Sequence, residues 1–252
     1  MRKILNDLWN TLEDYKQLKT YGYKCDKREY YVPETISADD HAPVVSTATG
    51  ITQMQTGNAS IRIGNNGPDS LEKINKEILQ CRDCKLCTGR KNSVAGAGVL
   101  NPLVMVIGEA PGAEEDSKGL PFAGEAGEYL DKWLKAISLD RETNCFLVNI
   151  VKCMPQKNRE PQLDEIELCK RFLKRQIALL KPKVILAAGR LSGSIITGRQ
   201  EEIGKLRGSI YSCEGIPVVV TYHPGEVLQD RRYRSDVWED LKILRKKIDE
   251  IT

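Results

Sequence analysis

The chain has 252 residues, of which 40% are hydrophobic and 29% charged, and its formal net charge is +3. That length suits one large domain, or one medium domain with an appendage. So small a net charge excludes binding of nucleic acid by overall charge alone, leaving any such affinity to local clusters of Lys and Arg. No stretch approaches the ~20 apolar residues of a membrane helix. The opening residues, Met1 to Asp7, carry no secretory signal. A reducing, cytoplasmic setting is therefore expected, in which eight cysteines serve metal, cluster or catalytic chemistry in preference to disulfides.

Ile4, Leu5, Leu8, Trp9, Leu12, Tyr15 and Leu18 recur at helical spacing, which predicts an amphipathic helix over residues 1–19. Its apolar face is expected to pack on the main domain or on a partner protein. Cys25 is read as an isolated thiol. Residues 32–69 are rich in Thr, Ser, Asn, Gly, Asp and Pro, the composition of a linker or mobile loop, so a domain boundary is placed near residue 70. Asp69 is expected to cap a helix over 70–80, with Glu72 completing a capping box.

An alternation of strands and helices follows. Strands are predicted at 103–108 (LVMVIG), 145–150 (CFLVNI), 183–189 and 217–222, with a further β segment at 208–213. Helices are predicted at 124–137, 162–181, near 190–197 and at 235–250. The strands are short unbroken apolar runs, as in a parallel sheet covered by helices on both faces. The alternation argues an α/β fold with right-handed crossovers. Ligands of such sheets lie beyond the carboxyl ends of the strands, so residues just after 108, 150 and 222 are the first candidates for function.

Cys81, Cys84 and Cys87 form C-x2-C-x2-C, and Cys153 and Cys169 follow at a distance. A paired C-x2-C with two remote cysteines suffices for zinc or for an iron–sulfur cluster, and the spacing does not choose between them. Cys145 and Cys213 lie in β segments and read as core residues. The loop Gly108 to Asp116 lacks the Gly-Lys-Ser/Thr of a phosphate loop, and its acidic run would repel phosphate. Carboxylates at this strand end suit water activation or base recognition; the alternative is a solvated helix N-terminus. His223, held by Pro224 after the last strand, is placed to donate to charge on a leaving group, or else is structural. His41, in the linker, has no such setting.

These segments together carry a resemblance. From about Leu71 to Ile248 the chain resembles the family 4 uracil-DNA glycosylases, the iron–sulfur branch of their superfamily. The resemblance rests on CRDC at 81–84, GEAPGAEED at 108–116, GLPFAGEAG at 119–127, NIVKCMPQKNREP at 149–161, ELC at 167–169 and HPG at 223–225, all in the family's order. It implies a three-layer α/β/α domain over 70–252 with a central, mostly parallel four-stranded sheet, and residues 1–69 as an appended helix and linker. It implies a hydrolase that flips uracil out of single- or double-stranded DNA, cuts its N-glycosidic bond and leaves an abasic site for base excision repair. The setting would be prokaryotic or phage-like, with the enzyme on the nucleoid when working.

The resemblance also assigns roles. Cys81, Cys84, Cys153 and Cys169 fall on the ligands of a [4Fe–4S] cluster, whereas Cys87 lies where the family does not require cysteine. Glu109 falls on the residue that positions water, and Ala110 beside it on a substrate contact. Glu115 falls on the acidic wall near uracil C5, Phe122 on the aromatic that stacks on the base, Asn149 on the amide that reads its edge, and His223 on the donor to O2. Lys152, Lys157, Arg159, Arg231, Arg232 and Arg234 are expected to meet phosphate, and Val227 and Leu228 to wedge into the gap left by the flipped nucleotide. Gly225 departs from the family's usual Ala or Ser, and the Arg/His-rich insertion of relatives that trap uracil covalently is missing between Gly119 and Gly127. Two other readings stay open: a glycosylase of this fold for another deaminated base, and a non-catalytic iron–sulfur or zinc module. Docking of a partner through residues 1–70 is a further expectation.

Overall fold

The computed structural model describes Tyr30–Tyr31 and residues 69–252. The predicted N-terminal helix, most of the predicted linker and any docking role for residues 1–70 fall outside those residues, apart from that dipeptide and the last two positions.

The centre is four parallel strands. They are β3 (Val104–Gly108), β4 (Cys145–Asn149), β5 (Val184–Ala188) and β7 (Ile216–Thr221). Three antiparallel strands extend this core at its edges: β1 (Tyr30–Tyr31), β2 (Ala97–Val99) and β6 (Ile210–Cys213). The sheet of seven runs β1-β2-β4-β3-β5-β7-β6. Every residue of β3, β4 and β5 is buried. Unbroken Val, Ile and Leu runs therefore mean two covered faces, as the sequence predicts.

Alternate residues serve opposite faces. Val104 and Val106 join a core with Leu130, Trp133 and Leu134 of α3 (Glu125–Ala136) and Leu241 and Leu244 of α8 (Arg234–Ile251). Met105 and Ile107 join the opposite core with Ile166, Leu173 and Ile177 of α4 (Leu163–Leu180). Helix α1 (Leu71–Gln80) adds a satellite cluster, Ile74 and Ile78 against Phe172. Four short helices complete the described residues: α2 (Ala113–Lys118), α5 (Arg190–Thr197), α6 (Ile203–Leu206) and α7 (Pro224–Gln229).

The chain leaves β3 to one side for β4 and returns to the other for β5. This reversal opens a crevice at the carboxyl end of β3. The cap of α1 differs from expectation: Ser70, not Asp69, accepts the Lys73 N–H at 3.2 Å. Asp69 is instead held by Arg175, at 2.7 and 2.8 Å.

Candidate active site

Glu109 is the first residue past β3. Its Oε1 accepts the backbone N–H of Leu191, in the first turn of α5, at 2.8 Å. The carboxylate lies against Gly189, whose φ of 112° and closeness both demand glycine; a Cβ there would come within 2.8 Å of Glu109 Cδ. Burial lifts the pKa of Glu109 to about 7, aided by the negative charges of Glu226 and Glu160 and opposed by the Leu191 N–H and Arg190.

Asn149, 3% exposed, ends β4 in register with Gly108. Phe122 comes from the loop after α2 and is 4% exposed. The two side chains meet over Gly108. A Cβ on that glycine would overlap Asn149 Oδ1 and lie 2.7 Å from Phe122 Cζ. Phe122 adopts φ 50°, a left-handed conformation costly for a bulky residue. Arg141 secures it: both terminal nitrogens donate to the Phe122 carbonyl at 3.3 Å, one also to Gly127 O, while Nε donates to Asp131 at 2.7 Å.

His223 caps α7. Its Nδ1 accepts the Gly225 N–H at 3.2 Å, and its own N–H donates to Glu226 at 2.9 Å. Burial presses its pKa down to about 4, so the ring is neutral at pH 7. With Nδ1 accepting, the proton sits on Nε2, which makes that nitrogen a donor. The imidazole lies 6.0 Å from the Phe122 ring at an interplanar angle of 24°. A buried carboxyl group, an amide, an aromatic face and a neutral imidazole thus gather at the carboxyl ends of β3, β4 and β7.

The model of the uracil-DNA glycosylase superfamily matches residues 95–242, more than half of the chain. The chain is 41% identical over 186 residues to a type-4 uracil-DNA glycosylase of Sulfurisphaera tokodaii, across 70% of this chain and 84% of that one. The type-4 enzyme of Saccharolobus solfataricus is 39% identical over 189 residues, across 71% and 87%. That of Pyrobaculum aerophilum is 38% identical over 179 residues, across 68% and 91%. The chain belongs to the type-4 uracil-DNA glycosylases.

Within this type-4 chain the other expected site residues divide. Ala110 follows Glu109, half-buried against the α4-side core. Glu115 caps its own helix, accepting the Gly112 N–H at 3.1 Å. Lys152 and Val227 do not reach DNA. Lys152 is 1% exposed and donates to Asn149 O at 2.8 Å and Gln176 Oε1 at 2.9 Å. Val227 is wholly buried, and Leu228 packs on the same core. Arg159 pairs with Glu165 at 2.7 Å. Lys157, Arg231 and Arg232 are exposed and Arg234 half-buried. The sequence gives no signal for Arg141 or Gln176, whose carbonyl and lysine partners are distant in the chain.

Cys81, Cys84, Cys87, Cys153 and Cys169 line one cavity with Arg90 and Lys152. Arg90 donates to Cys153 Sγ at 2.9 Å and to the carbonyls of Leu79 and Cys81 at 2.9 and 3.0 Å. Burial raises the Cys153 thiol to about 11 and Cys84 and Cys169 upward. Among the described residues no three such side chains converge to hold a single metal ion. The five cysteines share the lining of the cavity instead. No helix among the described residues is long and apolar enough to cross a membrane.

Proposed function

We propose that the protein is a DNA-repair hydrolase that flips uracil from DNA and cleaves its N-glycosidic bond, releasing uracil and leaving an abasic site. One observation carries the reading: Glu109, Asn149 and His223 follow or end β3, β4 and β7 on the same edge of the sheet, with the Phe122 ring against both Asn149 and His223. Extruding a base costs a few kcal/mol, and stacking on the Phe122 ring returns ~1–3 kcal/mol of it. The Asn149 amide offers a donor and an acceptor, matching uracil O4 and N3–H; cytosine presents the reverse pattern. As the C1′–N1 bond breaks, its electron pair passes to the uracil ring. The His223 Nε2–H meets the charge on O2, a contribution of ~3–4 kcal/mol for one fixed donor. Glu109 orients the water whose oxygen bonds to C1′ and takes up its proton, and its carboxylate offsets the cationic sugar. Glu115 and Ala110 would border the base.

The cavity suits a [4Fe–4S] cluster held by Cys81, Cys84, Cys153 and Cys169: their thiols line one space, and the Arg90 guanidinium on Cys153 Sγ would offset charge on the bound thiolates. A bound cluster would supply a covalent tie joining the segment after α1, the loop after β4 and α4. Residues 70–252 are taken as the catalytic domain, with residues 1–69 appended.

The test is incubation with oligonucleotides carrying one uracil, followed by alkali and a gel. Breakage with U, and none with T or C, is expected. Breakage only with hypoxanthine would move the activity to another deaminated base, and no breakage by an iron-loaded protein would leave a binding module.

A further inference from the structure

Five thiols line the cavity, and a [4Fe–4S] cluster takes four. The family resemblance sets Cys87 aside, but the cavity includes it. Cys87 sits in the 3-10 turn Lys85–Thr88, where its N–H donates to the Cys84 carbonyl at 3.2 Å. Like Cys81 and Cys84 it is half-buried and free. The C-x2-C-x2-C spacing is also the one with which bacterial ferredoxin sequences deliver successive thiolates to one cluster. Cys87 thus shares a cavity with Cys84 and sits one short turn from it, closer along the chain than any other thiol except Cys81. Cys153 and Cys169 have no such stand-in among the described residues, because Cys145 and Cys213 lie in strands outside the cavity.

We propose that Cys87 is a reserve ligand, taking the iron of Cys84 when that thiol is absent or its bond to iron breaks. The inference rests on the cluster reading above. The exchange moves no electrons between centres. The bond from iron to Cys84 Sγ breaks and that sulfur takes a proton from solvent, while Cys87 Sγ releases a proton and bonds to the iron.

The test uses full-length protein purified without oxygen: wild type, C84A, C87A, C84A/C87A and C153A. Iron and sulfide per chain and visible absorbance are measured, together with maleimide labelling of Cys87. C84A and C87A are expected to keep most of the wild-type iron, sulfide and colour, whereas C84A/C87A and C153A lose nearly all. Cys87 should label in wild type and be protected in C84A. An iron-free C84A, folded or not, overturns the proposal. So does a double variant as iron-rich as C84A, or loss of iron in C87A alone, which would make Cys87 a primary ligand. A wild type without iron would instead sink the cluster reading itself.

Discussion

Glu109 is a carboxyl group whose usefulness and whose cost have the same origin. Water activation needs the ionised form, which burial disfavours, and the pKa of about 7 marks the balance. kcat/KM is expected to rise with pH through an acidic limb near 7, and Glu109→Gln should lower it and abolish that limb. A limb unchanged in the variant would assign it to another group. The stability effect has the opposite sign. A carboxyl raised from 4.5 to about 7 on folding favours the folded state below pH 4.5, and that stability is lost as pH rises through 7. Glu109→Gln should therefore be more stable than wild type at pH 8, by on the order of 2 kcal/mol after solvent access is allowed for, and no more stable at pH 4.5. Thermal melts at both pH values check this. For His223, replacement by Ala should cut kcat by on the order of 10²–10³ while uracil still binds. A fall in affinity alone would make His223 a contact and not a donor to the transition state.

At the scale of elements, the loop carrying Phe122 shows what the sequence conceals. GLPFAGEAG marks the aromatic, but the left-handed backbone beneath it depends on Arg141, in the approach to β4. Arg141→Ala should raise KM by on the order of tenfold, the worth of a stacking contact of about 1–3 kcal/mol, with a smaller change in kcat. Arg141→Lys should restore part of the loss. Equal falls in both parameters, or a large drop in melting temperature, would point to general disruption. Similar limits apply elsewhere. The long elements were legible because apolar runs and 3.6-residue periods survive noise. Strand β2 and helices α2, α6 and α7 span three to six residues and carry too little pattern. Asp69 and Ser70 are both good caps; only Arg175, on α4, decides that Ser70 serves. The cluster segments are an element-scale device too. The proposed cluster would tie them and constrain the unfolded chain as a disulfide would, on the order of 3 kcal/mol. Cys153→Ala should thus be colourless and melt earlier; a stable brown variant would break the ligand assignment.

For the molecule as a whole, the question is where DNA lies. The neighbourhood of a motif says which charges are near the crevice but not which face solvent, so Lys152 and Arg231 look alike in the sequence. One is buried under the Asn149 carbonyl, the other exposed beyond α7. Arg231→Ala is expected to weaken binding equally across sequences and reduce the salt slope by about one. Arg232, whose charge is offset by Asp230 at 2.6 Å, should matter less. Binding titrations over a range of salt distinguish them, and equal slopes for wild type and Arg231→Ala would remove that arginine from the phosphate contacts.

The strand order has a further consequence, for a chain still being made. Glu109 and Asn149 emerge from the ribosome well before β7, and His223 lies beyond that strand. A truncated or stalled product that ends before His223 carries the Glu109 carboxylate and the Asn149 amide without the imidazole that completes the proposed site. On the proposed reading, excision therefore requires synthesis past β7, and shorter products would leave uracil in place.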